Sequence, residues 1–412
     1  MADRILQAAP EEPFLEIFRH LGRHGHQTWM TGESLAEQIL GRPPGFISLQ
    51  TTATGAEISE LFHQAVPTHP GGRSWQIPTP SGPVDCQPYR ASEGLNNTLS
   101  RRGLTSFGMA WFPLENSLKD PFAGYSDLQT GRLRLIEPSQ SPFNQNPSLI
   151  LSLLARVALW DEAPDAGCRQ ALSGVTLRDW ESIPSAWRGA TLKKIFESPR
   201  PGQVIRLLAE TGLDQRLGVR PKADTASLIE RSGEDPMLRL SVWLRGSRPG
   251  RFLRRQRFDR AAGERIVRLL SAHPIEENFS SRRRSSLLRL AAIPASDREA
   301  LFWLREQELQ NLPDSPMVAL NRTRLIDLRR GLEEHLDQEA NAQKSPALAL
   351  DGRGIMAALG IEAGPAVGQA IDYLKREVQD NPELNRPEQL RLMLKNWRSD
   401  SDAPNLSNNS AT

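Results

Sequence analysis

The spacing of apolar residues along the chain changes near residue 147. Before that point, residues 27–31 and 45–50 have the short apolar pattern of strands, and residues 12–25 and 35–40 have helical spacing. The turn sequence TPSG lies between two further strand-like segments, 75–77 and 83–89, as in a β-hairpin. We therefore predict an N-terminal α/β module that begins with a strand, a helix and a second strand.

After residue 147 the apolar residues recur at intervals of three and four almost throughout, which predicts helices. The expected helices are at 148–159, 185–197, 202–212, 237–246, 262–272, 298–310 and 317–339. The polar segment 341–346 is predicted to be a joint, followed by a small helical module to about residue 397 and a disordered tail. The fold class predicted from the whole pattern is α+β, with a small mixed sheet at the N-terminus.

The length, hydropathy and net charge of the chain limit the kinds of protein that it can be. A chain of 412 residues provides enough material for two to four modules, and its mean hydropathy is −0.47. The formal net charge is only +2, so a nucleic-acid surface requires local clustering of basic residues. No apolar run approaches the length of a membrane span, and the acidic N-terminus differs from a secretory signal. We expect a cytoplasmic protein without a membrane partner, in which Cys86 and Cys168 are inert thiols.

Four segments carry a resemblance to a known family. These are GRPPGFISLQTTATGAEISELF, VDCQPYR, SRRGLTSFGMAWFP and DPFAGYSDLQTGRLRLI. They resemble the class II nucleotidyltransferases, meaning the CCA-adding tRNA nucleotidyltransferases and bacterial poly(A) polymerases, and the likeness extends from about residue 25 to 397. The resemblance implies a nucleotidyltransferase-like head at 1–143, a helical neck at 144–225, an arginine-rich helical body at 226–343, a helical tail module at 344–398 and a disordered tail at 399–412.

The family's metal-binding strand is altered in this chain. The resemblance places Phe46 and Ser48 where the family has two aspartates, and it retains Asp85 as the third carboxylate. Residues two apart on a strand share a face, so positions 46 and 48 would face one site. Two-metal nucleotidyl transfer needs oxygen ligands there to hold Mg²⁺. Asp85 is the one residual candidate for catalysis or metal binding.

The nucleotide pocket is altered in a similar way. The resemblance assigns Gly32, Arg101 and Arg102 to nucleotide binding, and Glu37 replaces an aspartate of the family. In the neck, the resemblance places Asn146 where the family has an acidic residue. It places Leu149 and Ser152 where the family has arginines. Base selection by the family mechanism is therefore in doubt.

Basic residues cluster further along the chain. Arginines crowd the stretch from Arg239 to Arg260, with Trp243, Phe252 and Phe258 between them. Arginine favours phosphate, and aromatic rings can stack on bases, although aromatics at this spacing are more often core residues. In the tail module, glycines beside a helix start would let a phosphate approach, although tight helix packing explains them equally well. The candidate RNA-binding residues are Arg251, Arg254, Arg255, Arg283, Arg353, Gly364 and Gly368.

Three functional hypotheses remain open. The leading one is a catalytically degenerate relative that binds tRNA or RNA 3′ ends or acts as a partner protein, with no cofactor. The second is an active RNA nucleotidyltransferase with an atypical Mg²⁺ site built from Asp85 and Glu37. The third is a protein-interaction scaffold that does not bind RNA. The sequence does not identify the RNA, the oligomeric state or the pathway.

Overall fold

The computed structural model describes residues 12–68, 73–89, 92, 94–137, 142–344 and 347–401. The chain divides into two compact units, Met1–Ala272 and His273–Thr412. This division falls within the predicted body, and the predicted functional boundaries stay predictions. The observed α+β architecture confirms the predicted fold class.

The N-terminal part of the first unit is built around a mixed sheet. Its strands and helices in chain order are α1 (Glu12–Arg23), β1 (Thr28–Thr31), α2 (Glu33–Ile39), β2 (Ile47–Thr51), α3 (Gly55–Leu61), β3 (Val66–Pro67), β4 (Trp75–Ile77), β5 (Val84–Pro88), α4 (Leu95–Ser100), β6 (Ala110–Phe112), β7 (Ser117–Lys119) and α5 (Gly124–Gln129). The strand order is β3-β4-β5-β2-β1-β6-β7. Only β2 and β5 pair in parallel; the other described neighbours are antiparallel.

Burial explains why these short segments fold where they do. Every residue of β1 and β2 is buried, and α1 buries Phe14, Ile17, Phe18 and Leu21, which share one face of the helix. Helix α3 begins with a capping box, in which the Thr54 hydroxyl accepts from the Glu57 N–H while the Glu57 carboxylate accepts from Thr54. The sheet is thus fixed by apolar cover and by local hydrogen bonds.

The remainder of the first unit is helical apart from two short strands in its described residues. These are β8 (Arg132–Leu133) and β9 (Ala163–Pro164), which pair with each other. The helices are α6 (Pro142–Gln145), α7 (Leu149–Trp160), α8 (Ala166–Ser173), α9 (Leu177–Ser182), α10 (Ser185–Glu197), α11 (Pro201–Thr211), α12 (Leu213–Arg216), α13 (Thr225–Arg231), α14 (Pro236–Leu244), α15 (Pro249–Arg255) and α16 (Arg260–Ala272). The predicted helix 185–197 has these same bounds, and the predicted hairpin is the antiparallel pair β4–β5.

The second unit is helical in all its described elements. They are α17 (Ile275–Asn278), α18 (Arg284–Ala291), α19 (Ala295–Asn311), α20 (Pro316–Lys344), α21 (Gly352–Leu359), α22 (Pro365–Asp380), a 3-10 turn (Pro382–Leu384) and α23 (Pro387–Ser401). Helix α20 continues into the predicted joint, of which residues 345–346 lie outside the described residues. So do residues 402–412 of the predicted disordered tail. Among the described helices, none combines the length and apolarity that crossing a bilayer requires.

One close helix contact positions the arginine-rich stretch. Gly189 in α10 lies against the backbone that follows α15, and a Cβ there would sit 2.2 Å from the Gln256 carbonyl oxygen. The neighbouring Arg188 donates to the Arg255 carbonyl oxygen at 3.1 Å, and Trp180 Nε1 donates to Gln256 Oε1 at 3.2 Å. These contacts fix the end of α15 against the helices that precede it.

We expect Gly189→Ala to destabilise the first unit by about 1–3 kcal/mol, because the added methyl group must displace backbone. The matched control is Gly263→Ala in α16, where no atom lies within 4 Å of the added Cβ. That change should stabilise by up to about 1 kcal/mol through helix propensity. Urea unfolding measures both, and equal effects of the two substitutions would contradict the packing argument.

Candidate functional site

The pairing of β2 with β5 brings Ser48 and Asp85 together. The two residues are direct partners in the parallel register, flanked by the pairs Ile47–Val84 and Leu49–Cys86. Ser48 is 5% exposed, whereas Phe46 precedes the strand and its residue is 51% exposed. The position opposite Asp85 therefore carries a neutral hydroxyl, and position 46 offers no oxygen ligand.

Both carboxylate oxygens of Asp85 accept hydrogen bonds within the head. Ser74 Oγ donates to Asp85 Oδ1, and Gln87 Nε2 donates to Asp85 Oδ2 at 2.8 Å. Gln87 in turn accepts from Arg102 Nη2 at 3.4 Å through its Oε1 atom. Asp85 thus belongs to a hydrogen-bonded chain that ends at a guanidinium group.

Gly32 and Arg102, both predicted to bind nucleotide, lie close together. Gly32 has a φ of 75°, a left-handed conformation that favours glycine, and a Cβ there would be 3.8 Å from Arg102 Nη1. Burial lowers the pKa of Arg102 to about 10, and the charge of Asp85 acts in the opposite direction. Arg102 therefore remains a cation at neutral pH. Its charge interacts with that of Asp85, the one carboxylate of the β2–β5 pair.

These residues do not fit a two-metal centre. Such a centre needs several carboxylate oxygens on a shared face, whereas the pair here supplies one carboxylate, already hydrogen-bonded, and one serine. Within the described residues, no group of three or more His, Cys, Asp or Glu side chains has the arrangement of a metal site. No catalytic step through a metal ion follows from this geometry.

A second acidic group lies at the N-terminal end of β2, the same end as Ser48. Glu37 in α2 accepts from the Gly45 N–H at 3.2 Å and so fixes the loop that leads into the strand. Burial raises the pKa of Glu37 to about 7, with a further increase from the charge of Glu33. Ser34 Oγ accepts from the Ser48 N–H at 3.1 Å, which joins α2 to β2.

Sequence reasoning missed the buried arginine of the first neck helix. Arg156, the one arginine in α7, forms an ion pair with Glu162, and both side chains are nearly inaccessible to solvent. Its guanidinium carbon lies 4.1 Å from the ring centre of Trp160 and 4.9 Å from that of Phe107. An acidic residue six positions after an arginine in an apolar helix was the available signal. Arg156 is buried and paired with Glu162, so it is not accessible to a nucleotide, and its Nη1 atom has no hydrogen-bond partner among the described residues.

The arginine-rich stretch separates into buried and exposed members. Arg239 donates to the carbonyl oxygens of Phe196 and Ser198, both at 2.8 Å, and Arg245 forms an ion pair with Asp224. Trp243 and Phe252 are core residues whose rings make an edge-on contact at 5.3 Å. Exposed arginines of the same stretch, by contrast, include Arg248, Arg251, Arg254 and Arg257.

The other predicted arginines belong to other elements. Arg101 is exposed and lines a cavity of about 340 Å³ with Asn97 and Glu137. Arg283 is exposed immediately before α18, and Arg353 lies in the first turn of α21.

The tail module has the predicted helix ends. Asp351 caps α21, Gly360 ends it in the left-handed region, and Gly364 precedes Pro365 at the start of α22. A Cβ at Gly368 would meet no described atom within 4 Å, and one at Gly364 only the Glu362 carbonyl oxygen at 4.0 Å. Packing among the described residues therefore does not require these two glycines.

Known proteins resemble the chain along nearly its whole length. The CCA-adding enzyme of Geobacillus thermodenitrificans (strain NG80-2) is 22% identical over 93% of this chain and 96% of the relative. Poly(A) polymerase I of Haemophilus influenzae is 22% identical over 49% of this chain and 50% of the relative. The chain is a relative of the class II nucleotidyltransferases. No family model matches it.

Solved structures of CCA-adding enzymes share the fold. The Thermotoga maritima enzyme complexed with tRNA aligns with a TM-score of 0.62 at 17% identity, over 96% of this chain and 98% of that one. The Bacillus stearothermophilus enzyme in complex with CTP aligns with a TM-score of 0.57 at 19% identity, over 95% and 99%. The predicted resemblance to class II nucleotidyltransferases is thus confirmed at the level of family and fold.

We expect Glu37→Gln to flatten the pH dependence of stability. Because the folded-state pKa is raised from 4.5 to about 7, the fold favours the protonated acid, and this contribution is complete below pH 4.5 and lost as pH rises through 7. Glutamine keeps an acceptor for Gly45. At pH 8 the variant should gain about 1–2 kcal/mol, a figure reduced for partial exposure.

Unfolding by urea at pH 5 and pH 8 measures this difference. The control is Glu60→Gln on the exposed face of α3. If both substitutions changed the free energy of unfolding equally at both pH values, the raised pKa of Glu37 would be contradicted.

Proposed function

We propose that this chain is a tRNA nucleotidyltransferase-like protein that no longer transfers nucleotides and instead binds tRNA or another RNA near its 3′ end. The observation that carries the proposal is the state of the retained carboxylate. Asp85 faces a serine across the parallel register and uses both oxygens in hydrogen bonds to Ser74 and Gln87. A single carboxylate that faces a serine supplies too few oxygen ligands for a two-metal centre.

The energetic argument supports loss of the ancestral reaction. Metal ions supply several kcal/mol of transition-state stabilisation by neutralising the triphosphate and activating the attacking hydroxyl. Each ~1.4 kcal/mol lost slows the reaction tenfold. The neck adds to this loss, because its single α7 arginine is closed into an ion pair with Glu162.

Retention of RNA binding rests on different features. The chain keeps the full-length fold of proteins that include a tRNA-bound CCA-adding enzyme. It also exposes arginines along 248–257 and open helix ends in the tail module. Exposed arginines bind phosphate through bidentate hydrogen bonds. A binding role without nucleotidyl transfer accounts for both the altered head and the conserved architecture.

The activity test uses the full chain, a tRNA that lacks its CCA end, labelled ATP or CTP, and Mg²⁺ or Mn²⁺. We expect the unmodified chain to incorporate no more labelled nucleotide into the tRNA than the Asp85→Ala variant does. We also expect it to bind the tRNA with an affinity that falls as the salt concentration rises. Incorporation that Asp85→Ala abolishes would instead establish an active enzyme with an atypical metal site. Negligible binding at every salt concentration would favour the protein scaffold.

The register of β2 and β5 can be tested by restoring one carboxylate. The Ser48→Asp substitution would place a buried carboxylate beside the half-buried Asp85. We therefore expect the free energy of unfolding to fall by about 1–3 kcal/mol in EDTA at pH 8. Millimolar Mn²⁺ should recover part of this loss, since two paired carboxylates provide ligands that one does not. Thermal unfolding with EDTA or Mn²⁺ measures both effects.

Ser48→Asn is the matched control, because asparagine has nearly the same shape without the charge. It should show no recovery with Mn²⁺. If Ser48→Asp were as stable in EDTA as Ser48→Asn, residues 48 and 85 would not share a site.

A further inference from the structure

A basic cavity lies in the first unit, away from the Ser48–Asp85 pair in the sheet. It has a volume of about 540 Å³ and is bounded by the segment 215–220, which begins at the end of α12, and by the segment 246–255, which includes α15. Among the described residues, four arginines line it and no aspartate or glutamate does. They are Arg220, Arg248, Arg251 and Arg255.

Three of these arginines are uncompensated. Arg255 forms an ion pair with Glu181, but Arg220, Arg248 and Arg251 are exposed, and none has an ion pair within the described part of the chain. Some other exposed arginines of the same unit are paired, as Arg206 is with Glu230 and Arg169 with Glu210. Three guanidinium groups around a single cavity repel one another, and an anion bound between them removes that repulsion.

The frame of the cavity is fixed by internal contacts. The Arg220 N–H donates to Ser247 Oγ at 2.9 Å, which ties one bounding segment to the other. Beneath them Phe252 packs edge-on against the buried Trp243, and Arg245 is held by Asp224. The three arginine side chains therefore extend from a pre-organised backbone, which reduces the entropy lost on binding.

A neighbouring cavity extends the basic surface. It has a volume of about 630 Å³ and shares Gln215 and Arg220 with the first cavity. Arg206, Lys222 and the buried Asp214 also line it. Two adjoining cavities that meet at an arginine suit a ligand with repeated phosphates better than a single small anion.

We propose that Arg220, Arg248 and Arg251 form a binding site for the phosphodiester backbone of an RNA strand, independent of the ancestral nucleotide pocket. This inference rests on the proposed RNA-binding function and names the groups that would perform it. The contacts are to phosphate, so the site would bind RNA with little dependence on base sequence. Arg220 lies outside the arginine-rich stretch and joins it only in the fold.

The test compares two triple variants of the full chain. The cavity variant is R220Q/R248Q/R251Q, and the charge-matched control is R178Q/R231Q/R324Q, whose three exposed arginines line neither the cavity nor the stretch 248–257. Binding of deacylated tRNA is measured by filter retention between about 50 and 200 mM salt. The cavity variant should bind at least about tenfold more weakly, and the slope of log K against log salt should fall by about 2.

The outcomes separate this inference from the proposed function. If the unmodified chain shows no salt-dependent tRNA binding, the proposed function fails and the cavity has no RNA ligand. If the unmodified chain binds and both triple variants lose affinity equally, general electrostatics accounts for binding and the cavity assignment is overturned. Circular dichroism of both variants establishes that they remain folded.

A second arm distinguishes RNA from a free nucleotide. ATP and pyrophosphate are titrated calorimetrically against the unmodified chain and the cavity variant, and a short unstructured RNA is titrated in parallel. We expect the RNA alone to show binding that depends on the three arginines. If ATP or pyrophosphate shows that dependence while RNA affinity is unchanged, the site binds small phosphates and the RNA assignment is wrong.

Discussion

The parallel pairing of β2 with β5 is the contact on which the head depends. It joins the β3-β4-β5 half of the sheet to the β2-β1-β6-β7 half, and both strands contribute buried apolar residues at the joint. The same register brings position 48 opposite position 85. Since the pairing is fixed by the burial of Ile47, Leu49, Val84 and Cys86, the sheet persists whatever side chains occupy the polar face. The polar pair at positions 48 and 85 is therefore not needed to hold the two strands together.

Internal partners surround Asp85 in the head. Asp85 is connected through Gln87 to Arg102, whose charge lies beside Gly32. In the neck, Arg156 is compensated by Glu162. Buried charges are tolerated when they are paired and hydrogen-bonded, so these contacts stabilise the groups that they join. Arg220, Arg248 and Arg251 differ, because they are exposed and have no ion pair within the described part of the chain.

The sequence predicted some of these features well and others poorly. Apolar spacing located the hairpin and the helix at 185–197, because those signals are local. The motif around Phe46 and Ser48 identified the family. The arginine-rich stretch was less informative, since Arg239 and Arg245 are structural while Arg248 and Arg251 are exposed. Arg188 is structural as well, since it donates to the backbone carbonyl oxygens of Trp180 and Arg255.

The sequence by itself determined the α+β order, the absence of carboxylates at positions 46 and 48, and the family resemblance, because each is encoded in neighbouring residues. Only the tertiary structure decided which charges are compensated. Asp224 neutralises Arg245, Glu162 neutralises Arg156, and Arg220 joins Arg248 and Arg251 across a loop contact. The physical reason is that burial and Coulomb energy depend on partners brought together by packing, and no local pattern specifies those partners.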